Sequence, residues 1–261
     1  MTQPFSSLLS RLATVEELHG IYADAQEALE AHLGVNICMP NCGACCEHNA
    51  VLVWGFEIEA ITSYLLGKGE IYTKQVLDSC EEWLTNDHGL KTYPPKYFES
   101  HPKEMMAQVH TVSSTRCPML TIDKKCSIYE QRPLACEAFG VTTYPRGCPR
   151  PLGLGEHDNV RAYNSVLGNK IGEVLNVFLT RVANEDMLAV TVGYLPTLLF
   201  AKLRANDFAN LVSSGKINPV KLATNVINSP ALLYEQQRID FSLAGDKALE
   251  DVVNAGVKAS I

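Results

Sequence analysis

At 261 residues, with 46% hydrophobic and 20% charged side chains, the chain suits one or two domains and has the apolar content for a buried core. Its 17 glycines and 13 prolines are ordinary, which excludes collagen-like and disordered classes. With 22 basic against 29 acidic residues the formal charge is −7, which argues against a general nucleic-acid binder, because phosphate binding wants a basic face.

The first expected element is a helix over 5–33. Leu8, Leu9, Leu12, Val15, Leu18, Tyr22, Ala25, Leu29 and Leu33 recur there at three- and four-residue steps. Gly34 stands where a C-terminal cap belongs. No basic leader followed by an apolar run precedes this helix, so no secretory signal is read. A turn-rich loop follows, and residues 50–54 read as a short strand or the start of the next helix. Residues 55–67 suit a helix with Phe56, Ile58, Ile61, Leu65 and Leu66 inward and Gly67 as a stop. Residues 70–84 suit another, with Ile71, Val76, Leu77, Cys80 and Leu84 inward. Residues 85–102 are rich in turn formers and read as an ordered surface connection. A helix or strand is expected near 103–112.

Past Gly155 the pattern is helical: strongly at 158–182, then at about 185–204, 206–213, 218–227 and 243–258. The longest uncharged apolar stretch, Met187 to Ala201, has 15 residues and contains Gly193 and Pro196. A spanning helix needs about 18 to 20, so this reads as a buried helix and no membrane partner is expected. There is no internal repeat. The simplest division is a cysteine-cluster part, 1–155, and a helical part, 156–261. The expected fold is mainly α, with a small irregular cysteine-cluster core and packed helices.

The chemistry lies in nine cysteines. Cys38, Cys42, Cys45 and Cys46 fall within nine residues, and Cys117, Cys126, Cys136 and Cys148 form a second group. A cytoplasmic setting is expected, where thiols stay reduced and clustered cysteines serve as metal ligands or redox centres more often than as disulfides. A metal needs thiolates to converge at about 2.3 Å, and short spacings in a loop allow that at low entropic cost. Pro40 and Gly43 supply turn chemistry. Adjacent Cys45 and Cys46 are expected to point apart, and so to serve a cluster or two sites instead of one ion. Ser127 and Glu130 have the spacing of a capping box that would start a short helix after Cys126, with Cys136 one turn into the next. Arg116, Lys124, Lys125, Arg132 and Arg146 would offset thiolate charge. Cys80 reads as a core thiol, and His48 as a solvated loop residue. The other histidines form no paired-ligand spacing, and no phosphate-loop or nucleophile-elbow motif occurs.

The order C-x₃-C-G-A-C-C from Cys38 to Cys46, then Cys117-Pro118-x-Leu120, then C-S-I-Y-E-x-R-P-x-x-C from Cys126 to Cys136, then Cys148, resembles the YkgJ-type cysteine-cluster family. That family is a zinc- or iron-chelating domain with a CxxCxxCC signature, and the resemblance covers residues 38–155. It implies metal binding at Cys38, Cys42, Cys45, Cys46, Cys117, Cys126, Cys136 and Cys148. Two positions depart from the family pattern. The first spacing has one extra residue, and Glu137 follows Cys136 where the family often has Arg. The flagellin lysine methylases carry the same cysteine domain and look like iron–sulfur enzymes.

Zinc sites close with four ligands, so eight thiols could make two. A cluster also takes four cysteines, and the compact spacing of the first group suits one. The expected cofactor is therefore an iron–sulfur cluster of the 4Fe–4S type, with zinc as the alternative. The expected function is metal binding with a redox or modification role. The alternatives are a zinc-stapled module that binds a protein partner, and a methylase-like enzyme.

Overall fold

The computed structural model describes residues 15–34, 41–91, 100–137 and 192–222. Over these the chain is mainly helical, with a single two-stranded ladder. Cys38, Cys148 and the helices expected at 158–182 and 243–258 fall outside the described residues. The chain divides into two units, each drawn from both sides of residue 155.

The first unit comprises Met1–Pro40, Pro133–Val190 and Ser229–Ile261. Its described part holds helix α1, Val15–Leu33, and a helical turn at 134–137. Glu16 and Glu17 sit in the first turn of α1, where the exposed peptide N–H groups favour negative charge. Gly34 follows with φ 67°, as the cap reading expects.

The second unit comprises Asn41–Arg132 and Thr191–Asn228. Strand β1, Leu52–Trp54, runs straight into helix α2, Gly55–Lys68. The Glu57 carboxylate accepts the Trp54 N–H at 2.9 Å, satisfying one orphan donor at the helix start. Helix α3 spans Glu70–Thr85 and α4 spans Pro102–Ser113. Strand β2, Val192–Tyr194, then leads into α5, Leu195–Leu203, followed by α6, Ala205–Ser213, and α7, Pro219–Leu222. β1 and β2 pair antiparallel, with Leu52 opposite Tyr194 and Trp54 opposite Val192.

Two boundaries differ from the sequence reading. Within the expected helix over 185–204, Val192–Tyr194 is a strand and Leu195–Leu203 is the helix, while residues 185–191 lie outside the described residues. β-branched and aromatic residues around Gly193 suit a pleated partner for β1, and Pro196 fits the first helical turn that follows. Helix α2 runs through Gly67 and stops at Gly69, whose φ of 99° ends the helical path.

The core of this unit lies where α5 packs against α3 and α2. Leu65, Leu84, Leu199 and Phe200 are fully buried, and Ile58, Ile61, Val76, Leu77 and Leu195 nearly so. Each such side chain contributes roughly 1.5–3 kcal/mol relative to exposure. Leu66 and Ile71 turn outward instead, at 58% and 78% exposed. They flank the Gly69 corner, and Thr73 takes the inward position beside them. Its hydroxyl donates to the Leu65 carbonyl at 2.7 Å, so a polar side chain is buried without an unmet hydrogen bond.

Segment 192–222 is fastened to the rest of the unit by two buried polar groups. The Tyr194 hydroxyl donates to the Val109 carbonyl at 3.0 Å, and burial pushes the phenol up to about 12. Lys221, only 1% exposed, donates to the carbonyls of Trp83 at 2.6 Å, Leu84 at 3.0 Å, and Asn86. Its ammonium also lies 4.8 Å over the Trp83 ring. These carbonyls close the C-terminal end of α3, where peptide oxygens are left without helical partners.

Candidate metal centre

The sulfur-bearing part of the second unit is built from two turns. The first, at 41–48, opens with Asn41 at φ 58° and folds Cys45–Glu47 into one 3₁₀ turn. The Cys46 N–H donates to Gly43 O at 3.0 Å, and the His48 N–H to Cys45 O at 3.2 Å. The second is a tight hairpin in which Leu120 and Cys126 face each other as an antiparallel bridge. The Thr121 N–H donates to Lys125 O at 2.9 Å, and the Thr121 hydroxyl accepts the Lys125 N–H at 3.1 Å. Lys124 takes φ 57° to close the loop.

The turns are pressed together. Cys117 N–H donates to Cys46 O at 2.7 Å, a short backbone tie between the two cysteine groups. Gly43 lies so close to the hairpin that a Cβ there would stand 2.4 Å from Leu120 Cδ1 and 2.5 Å from the Lys124 carbonyl. Only glycine permits that approach.

Four thiols meet across this junction. The Cys46 side chain lies within interaction range of those of Cys117, Cys126 and Cys45. Cys46 and Cys117 are buried, while Cys45 and Cys126 are half-buried. The contact with Cys46 holds the Cys45 thiol down at about 7, helped by backbone N–H groups and the Arg132 charge and opposed by burial. Cys126 is lowered chiefly by the same neighbour, again with Arg132 contributing. Cys46 itself moves strongly upward, through its contacts with Cys117, Cys126 and Cys45 and then through burial. Adjacent Cys45 and Cys46 lie close enough for their side chains to interact across the turn at 45–47.

The surroundings suit sulfur carrying negative charge. Arg132 lies 4.5 Å over the Tyr129 ring, just past the 3₁₀ turn Tyr129–Gln131. Ser127 does not cap that turn as its spacing suggests. Its hydroxyl lies 3.9 Å from Met119 Sδ, and the turn has no side-chain cap. Cys80 is fully buried on α3, where burial and then the charge of Cys117 push its thiol up, consistent with a core residue. His48 is exposed.

Of the eight cysteines in the two groups, the structure thus brings Cys45, Cys46, Cys117 and Cys126 together. Cys42 sits half-buried on the same first turn. Cys136 belongs to the other unit, half-buried on the helical turn at 134–137. There its neighbour Glu137 pairs with His19, a contact across 118 positions that no motif announces. Among the described residues, no three His, Cys, Asp or Glu side chains are placed to hold a metal ion together. The four side chains lie near one another without forming such a set. The donor chemistry of this quartet nevertheless fits a soft or borderline metal: four sulfurs, two of them favouring the thiolate.

Cysteines of the two groups thus gather on short turns backed by an aliphatic core. Residues 37–149 match the family model CxxCxxCC, whose description is "Putative zinc- or iron-chelating domain", and this match supports metal binding. No curated protein and no solved structure matches the chain. No helix of the described residues is long and apolar enough to cross a membrane.

Proposed function

We propose that the quartet Cys45, Cys46, Cys117 and Cys126 holds an iron–sulfur cluster, and that the protein acts in electron transfer. The observation that carries this reading is the convergence of the three other thiols on Cys46. A single zinc ion asks four sulfurs to stand tetrahedrally at about 2.3 Å, which is difficult for two adjacent residues. A cluster spreads its four cysteines over separate iron atoms, which lets Cys45 and Cys46 both serve. Arg132 supplies positive charge against the anionic sulfur core. A cytoplasmic location would keep these thiols reduced until the cluster is inserted.

The test is anaerobic purification of the full chain, followed by iron, acid-labile sulfide and zinc analysis with an absorption spectrum. The expected result is a brown protein with iron and sulfide in equal amounts. A spectroscopic change on reduction with dithionite would follow. A colourless protein loaded with zinc and free of sulfide overturns the cluster reading in favour of a zinc-stapled domain. In Cys46→Ser the metal content should fall, because the thiol at the centre of the quartet is lost.

A further inference from the structure

The strand end that carries Cys126 is held from outside by α3. The Tyr72 hydroxyl donates to the Ser127 carbonyl at 2.5 Å, a bond between residues 55 positions apart. On the other side of the Gly69 corner, Lys68 Nζ lies 3.2 Å from Glu130 Oε2. Just beyond Cys126, three consecutive peptide N–H groups are differently engaged. The Ser127 N–H donates to Met119 O at 2.8 Å, and the Tyr129 N–H to Cys126 O at 3.4 Å. The Ile128 N–H between them has no oxygen acceptor among the described residues, although Ile128 is 0% exposed. A buried peptide donor withdrawn from water needs a partner, and the Cys126 sulfur, two residues earlier, lies within its interaction range.

The Ser127 carbonyl and the Ile128 N–H belong to one peptide group. A hydrogen bond accepted at an amide oxygen draws electron density from the nitrogen and makes its N–H a stronger donor. The path therefore runs from the Tyr72 O–H, through this peptide, to sulfur. An N–H aimed at a ligating thiolate stabilises the more negative, reduced state of an iron centre and so raises its potential. We propose that Tyr72 is a positioning residue for the metal centre: its hydroxyl polarises the 127–128 peptide, whose N–H then binds the Cys126 sulfur more strongly and raises the reduction potential of the bound cluster. The hairpin does not need Tyr72 for closure, because the bonds between Thr121 and Lys125 already close it. This inference rests on the reading of the quartet as a cluster site, and adds a residue that lies in neither cysteine group.

The test compares the full chain with Tyr72→Phe, which keeps the ring and removes only the hydroxyl. Both are reconstituted anaerobically with iron and sulfide and titrated with dithionite against redox dyes. The expected result is unchanged iron and sulfide content with a more negative reduction potential in Tyr72→Phe. Tyr64→Phe serves as the control, since it removes a neighbouring phenol hydroxyl that lies by Lys68 and Glu130 instead of Ser127, and its potential should stay. An unshifted potential in Tyr72→Phe, or an equal shift in Tyr64→Phe, overturns the relay. Failure of the unsubstituted chain to take up iron and sulfide overturns the cluster reading instead. The relay is then read in the metal-free full chain by ¹⁵N–¹H NMR, where Tyr72→Phe should move the Ile128 amide resonance upfield in both dimensions. An Ile128 amide that does not move overturns the relay whatever the cysteines hold.

Discussion

In α2, α3 and α5 the inward side chains are mostly hydrocarbon, and Leu65, Leu84, Leu199 and Phe200 are sealed from water. The turns at 41–48 and 117–132 of the same unit contain no regular element longer than three residues. Peptide hydrogen bonds such as Cys117 N–H to Cys46 O, at 2.7 Å, hold them, together with sulfur–sulfur contacts. Burial of apolar area is non-directional and tolerates small shifts, whereas bond geometry at sulfur does not. The first region thus rests on apolar burial, the second on directional bonds.

The largest test of this contrast lies in the scaffold. Phe200→Ala empties a fully buried site on α5 and is expected to cost about 3–5 kcal/mol in denaturant unfolding. The metal-to-protein ratio of the molecules that remain folded should be unchanged. A parallel loss of metal would show that the two regions form a single cooperative whole.

Gly43→Ala acts on the other side. The added Cβ meets Leu120 Cδ1 at 2.4 Å and a peptide oxygen at 2.5 Å, and relieving that overlap should cost about 1–3 kcal/mol. Metal affinity should fall while the helical circular dichroism persists. Equal metal affinity in this variant would mean that the turns need not touch for binding.

Lys221 sharpens the comparison, because it stabilises the scaffold by polar means. Burial pushes its ammonium down to about 8, below the ordinary lysine value. Between that value and about 10.4 the unfolded chain binds the proton more tightly, so stability rises with pH across this window. The rise should be of the order of 1–3 kcal/mol across the window, with the Asp87 charge opposing the effect of burial on the ammonium. Lys221→Met should flatten this slope relative to the unsubstituted protein in melting curves taken from pH 7.5 to about 10. An identical slope in both would place the proton elsewhere.

The smallest effect is expected from Lys124→Gly. It removes the cost of φ 57° at a non-glycine residue, but it adds backbone freedom and loses an exposed 3.1 Å contact with Glu47. These terms nearly cancel, leaving a change under about 0.5 kcal/mol. Metal content should not move.

Much of the scaffold is written in local periodicity. The aliphatic steps of 55–67 and 70–84 locate α2 and α3 because helix geometry places such residues on one face. Leu66 and Ile71 break the inference, since position near the Gly69 corner, not hydropathy, decides which side they face. β1 and β2 are three residues each and lie far apart in sequence, so nothing local reveals their pairing. At the candidate site, spacing identifies the two cysteine groups. It does not reveal which cysteines of the two groups come together, because that follows from how the turns at 41–48 and 117–126 pack. The His19–Glu137 pair is likewise a product of tertiary folding and has no sequence signature.

The antiparallel ladder has a practical consequence for anyone dissecting the protein. A fragment trimmed to the boundaries of the matched family segment would keep β1 but lose its partner strand, exposing a raw sheet edge open to pairing with another molecule. The same cut would strip Phe200 and Leu199 off α3. Such a truncated piece should aggregate, and residues 192–222 would need to be supplied back, in cis or as a peptide, to restore solubility.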